Sequence, residues 1–133
     1  MFVRAGLILL GLIHLGNGLW MLAAPDGWYA AVPGVSMTGP INHHFIADIG
    51  LAFVASGVGL LLGARNMRTA GAFAVAGATW PALHALLHLW GWLHMGFPAT
   101  AAVAVSESVG VVLVGALGAA LAGARFQSIQ QGG

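Results

Sequence analysis

Polar and charged positions are sparse along this chain, and they divide it into four long apolar runs. The runs cover about residues 3–24, 42–63, 69–90 and 99–123. Each reaches the roughly 20 mostly apolar residues that a helix needs to cross a bilayer. The pattern predicts an all-α fold, an integral membrane four-helix bundle in which residues 1–133 form a single transmembrane domain. The connections are short. The first, Pro25 to Pro40, holds Pro25, Gly27, Pro33, Gly34, Gly39 and Pro40, all turn formers. Ala64–Arg68 is the second, and Gly91–Pro98 is expected to be a tight turn. The polar tail after Arg125 is expected to fray. No internal repeat is evident. Arg4, the first apolar run and the small pair Ala23-Ala24 also resemble a cleavable signal peptide. Against that, the run is long for a signal and carries His14 and Asn17.

Composition sharpens the class. Hydrophobic residues make up 59% and charged residues 5%, against roughly 25% charged in a soluble domain. That excludes an ordinary cytosolic domain, a disordered chain and a nucleic-acid binder. With no cysteine, disulfides, thiolate metal sites and thiol catalysis are excluded. The 21 glycines suit close helix packing. Arg4, Arg65, Arg68 and Arg125 all fall on one side of a four-span topology, and lysine is absent. The positive-inside rule then makes the N and C termini cytoplasmic in a multi-pass cell (inner) membrane protein. Richness in alanine, glycine and arginine points to a bacterial source. Trp20, Trp28, Trp80, Trp90 and Trp92 suit an aromatic belt near the outer boundary.

Six histidines stand against seven other ionisable side chains, and this histidine-rich balance is the main functional clue. Ionisable groups inside a membrane are costly and default to functional sites. At 1.5 Å per residue, His14 lies roughly 15 Å below the outer surface, Asp48 roughly 9 Å, His84 roughly 10 Å and Glu107 roughly 12 Å. His44 and His88 lie within about 5 Å of it. Four helices thus place an ionisable group in one outer slab, joined by Asn17. His44 with Asp48, and His84 with His88, are i, i+4 neighbours able to share a face. Pro81 is expected to kink the third span and aim His84 inward.

Two imidazoles plus a carboxylate form a ligand set for zinc, iron or copper. The expected metal core is His84, His88 and Asp48, with Glu107 and His44 as further ligands and His14 and His44 available to a cofactor. Asp48 and Glu107 are the candidate general bases if the ion activates water. Redox chemistry on a lipophilic substrate entering sideways from the bilayer is the other enzymatic option. Axial pairs His14 with His84, or His44 with His88, would suit a b-type haem. Three non-enzymatic readings stand beside these. The histidines could simply hydrogen-bond the buried carboxylates, or form a proton or metal-ion relay. Alternatively, the chain could be a non-catalytic subunit, in a homo-oligomer or larger membrane complex. His43 is expected at the interface, His94 in solvent or at the interface, and Asp26 as a cap or solvated group of the first loop.

The stretch Asn42-His43-His44-Phe45-Ile46-Ala47-Asp48-Ile49-Gly50, with Trp80-Pro81-Ala82-Leu83-His84-Ala85-Leu86-Leu87-His88, resembles small uncharacterised four-span bacterial membrane proteins over most of the chain. That resemblance implies topology and no activity. The HxxxD and HxxxH spacings are also similar to those of membrane zinc hydrolases of the alkaline ceramidase and adiponectin-receptor type. Those have seven spans, and their serine-containing motif has no counterpart here.

Overall fold

The computed structural model describes residues 1–131. Its regular structure is helical throughout those residues: α1 (Phe2–Ala23), α2 (Pro25–Ala31), α3 (His43–Gly63), α4 (Ala70–Met95) and α5 (Ala101–Gln131). Four of them, all but α2, are long and apolar enough to cross a membrane. The all-α class and the four candidate spans are as the apolar runs predict.

The differences lie at the ends of the runs. The first connection is not a plain loop. Pro25 starts α2, because its fixed φ and missing N–H are tolerated in a first helical turn. Trp28 of α2 donates its indole N–H to Asn17 Oδ1 at 3.0 Å, and the Tyr29 hydroxyl donates to the Gly39 carbonyl at 2.5 Å. Asn17 therefore anchors this connection. A 3-10 turn, Val35–Thr38, follows α2. Helix α4 does not stop at Trp90 but runs to Met95. Its stop signal is Gly96, at φ +91°, a left-handed conformation that glycine adopts without steric cost. Likewise α5 does not fray after Arg125 but continues to Gln131.

The long helices pack in a ring, α1 on α3, α3 on α4, α4 on α5, with a lighter contact from α5 back to α1. Small residues set the spacing. Leu7, Leu10, Leu60, Ala74, Ala78 and Ala122 form the core, while glycines carry the crossings. A Cβ on Gly57 would lie 2.6 Å from the Leu15 nitrogen, and one on Gly77 2.5 Å from the Leu60 nitrogen. Backbone meets backbone there, as small residues allow between membrane helices. The outward faces remain apolar, with Leu9 and Leu12 on α1, Leu51 on α3, and Leu83 and Leu86 on α4 all exposed.

One end of the ring is fastened by arginine. Arg4 Nε donates to the Ala64 carbonyl at 2.7 Å. Arg125 donates to the Gly63 carbonyl at 3.1 Å and to the Arg65 carbonyl at 2.8 Å. The last carbonyls of a helix have no partner within it, and a cation there also complements the helix dipole. The ends of α1 and α5 thus close the end of α3.

Candidate functional site

The site begins with a defect in α4. Pro81 has no N–H, so the Gly77 carbonyl, four residues earlier, loses its helical partner. The Ser56 hydroxyl of α3 replaces that partner, donating to the Gly77 oxygen at 2.6 Å. Its single hydrogen is then committed, so Ser56 Oγ can only accept from His14 Nδ1, 3.1 Å away. This fixes His14 as the tautomer protonated on Nδ1, with the lone pair on Nε2. His14 is 3% exposed, and its ring meets Phe53 edge-on at 5.6 Å between centroids.

Four residues at helical spacing continue the site along α4: Trp80, His84, His88 and Trp92. Trp80 stacks on His84 at 5.4 Å, and His84 meets His88 edge-on at 4.9 Å. The Nε2 atoms of His84 and His88 are hydrogen-bonded at 3.2 Å. His88 Nδ1 faces Glu107 Oε2 at 3.2 Å, and the Trp92 indole donates to the same oxygen at 2.7 Å. Glu107 sits in a π-helical stretch, Ser106–Leu113, within α5. Such a widened turn is frequent at functional sites. The result is a line of contacts, His84 to His88 to Glu107, with Trp92 closing its end. The pair at the Glu107 end is partly open, with side-chain exposures of 25% for His88 and 22% for Glu107.

A groove of about 500 Å³ adjoins that open end, lined by Met37, Leu87, Trp90, Met95 and Val103 beside His88 and Glu107. Small-molecule sites commonly span about 300–1,000 Å³.

Of the expected site residues, His84, His88 and Glu107 come together, and His14 stands behind them across Phe53. His44 and Asp48 do not join. They pair with each other at 3.5 Å on the outward face of α3, 89% and 57% exposed. The reason lies in the packing of α3: the stripe turned inward carries Ile46, Gly50, Gly57 and Leu60, and Asp48 sits on the other side of the helix. The expected core of His84, His88 and Asp48 is thereby corrected. Among the described residues, no three His, Asp or Glu side chains are placed to hold one ion. His84, His88 and Glu107 form a line, not a cage, because His88 turns one nitrogen to each neighbour. For haem, the Phe53 ring packs edge-on against both His14 and His84, so a porphyrin between those two would have to displace it. His43 pairs with Asp26 at 3.0 Å, and His94 donates to the Trp90 carbonyl at 2.8 Å, both exposed.

Three participants were not expected from the sequence: Ser56, Phe53 and the inward role of Trp92. Trp92 had a usable signal, since it continues the four-residue spacing of His84 and His88. Ser56 had one too, because a proline inside a span always frees a carbonyl. No family model, curated protein or solved structure matches this chain.

Proposed function

We propose that this chain is a multi-pass bacterial inner-membrane protein, both termini cytoplasmic, which binds a small lipophilic molecule in the outer groove and exchanges a proton with it. The His84–His88–Glu107 line is the exchanging element. The observation that carries this reading is that His88 contacts His84 through Nε2 and Glu107 through Nδ1. An imidazole can take a proton on one nitrogen and release one from the other, which makes His88 a relay. A proton passed from His84 Nε2 to His88 Nε2 lets His88 release its Nδ1 proton to Glu107 Oε2, and charge is conserved at each transfer. The topology rests on the arginines. Arg4 and Arg125 both reach the α3 end that leads to Arg65 and Arg68, and the positive-inside rule assigns that end to the cytoplasm.

Nitrogen NMR of the histidine rings in detergent tests the relay. With a carboxylate at Nδ1, His88 is expected to be protonated there. In Glu107→Leu it should lose that preference, and His84 should change with it. His84 signals that ignore the Glu107 substitution would break the relay.

One distance favours a second reading. Two nitrogens on a tetrahedral ion with bonds of about 2.0–2.1 Å stand about 3.3 Å apart, close to the His84–His88 separation of 3.2 Å. Glu107 behind His88 Nδ1 then matches the carboxylate that commonly orients a metal-bound histidine. This reading predicts about one zinc, iron or copper per chain in tag-free protein, lost in His84→Ala. Metal retained at full occupancy in that variant removes His84 as a ligand.

A further inference from the structure

The free hydrogen-bonding capacity of the groove is one-sided. Glu107 Oε2 receives both Trp92 and His88, whereas Oε1 has no partner among the described residues and is not buried. The ring nitrogens of His88 and the indole N–H of Trp92 are already engaged within the site. What remains to a ligand is a carboxylate oxygen, with only neutral donors, such as the Thr100 hydroxyl, elsewhere on the wall. Among the described residues no arginine lines the groove, so an anionic ligand finds no counter-charge there. Around the carboxylate stand Trp90, Trp92, Met37 and Met95, which offer aromatic faces and adaptable apolar surface.

We propose that the groove takes a lipophilic amine, bound as its ammonium through Glu107 Oε1. This deepens the reading above and rests on the groove being a ligand site. His88 of α4 is the titratable side chain in contact with Glu107, and His84 stands behind it. The groove walls from the α2–α3 connection (Gly34, Met37, Thr38) and from the start of α5 (Thr100, Val103) bring no titratable group.

The test compares 4-phenylbutylamine with its neutral isostere 4-phenylbutanol on the full chain in a non-ionic detergent, by calorimetry and tryptophan fluorescence. The amine is expected to bind about 10- to 100-fold tighter, the worth of a charge-assisted hydrogen bond. Glu107→Gln should bring the amine down to the affinity that the alcohol shows for the same variant, with thermal unfolding reporting an intact fold. Equal affinities in the unaltered protein, or an amine preference that survives Glu107→Gln, would overturn the proposal. Loss of the amine preference with the His88 tautomer response intact sinks the ammonium site and spares the relay. The reverse pattern sinks the relay and spares the site.

Discussion

Ser56→Ala is expected to destabilise the protein by about 2–6 kcal/mol, because it strands two buried groups that each cost about 1–3 kcal/mol unpaired. The Gly77 carbonyl cannot return to its own helix, since Pro81 has no N–H to offer. His14 Nδ1 loses its acceptor at the same time. Interhelical hydrogen bonds in membranes average only about 0.6 kcal/mol, because a disengaged group usually finds another partner. Here the proline removes the usual alternative, so the larger figure applies. Unfolding in mixed detergent measures it, and Pro81→Ala is the decisive background. With an N–H restored at residue 81, Gly77 recovers a helical partner, so Ser56→Ala should cost about 1–2 kcal/mol less there. An equal cost in both backgrounds would mean that Ser56 does not stand in for the missing proline bond.

Gly57→Ala is expected to cost about 3 kcal/mol or more, at the upper end of the overpacking range. The added methyl would meet the Leu15 nitrogen at 2.6 Å and the Gly11 carbonyl oxygen at 2.7 Å. Both are backbone atoms, so no side chain can swing away, and α1 and α3 must separate along their length. Gly16→Ala is the matched control on α1. Nothing lies within 4 Å of its added Cβ, and replacing glycine in a helix by alanine gains roughly 0.5–1 kcal/mol. Thermal unfolding of the two variants should therefore move in opposite directions. A Gly57→Ala protein as stable as its parent would show that the α1–α3 crossing is looser than its glycines imply.

The four candidate spans were legible because length and apolarity alone decide them, and α1, α3, α4 and α5 follow the apolar runs. The ends were not, because they depend on individual contacts. Gly91 looks like a stop, yet α4 passes through it and ends at Gly96, where a positive φ is needed. That extension carries Trp92 onto Glu107. Depth along each helix put His84 and Glu107 in one slab, with His88 one turn nearer the surface, and the three come together in the structure. It could not separate Asp48 from them, because depth says nothing about azimuth. Which side of α3 turns inward was decided by glycines that admit α1, such as Gly50 and Gly57. Those glycines were visible in the sequence, but their partners were not.

The repair of α4 by α3 also bears on how a chain with these four candidate spans would enter a membrane. Helix α4 is the least apolar of the four candidate spans, and on its own it carries a carbonyl that only Ser56 covers. During synthesis α3 precedes it and is the most apolar of the four. The two are therefore suited to leave the translocation machinery as a hairpin, with the serine already in place when the proline arrives. The break in α4 makes it dependent on its predecessor, and the order of the chain supplies that predecessor in time.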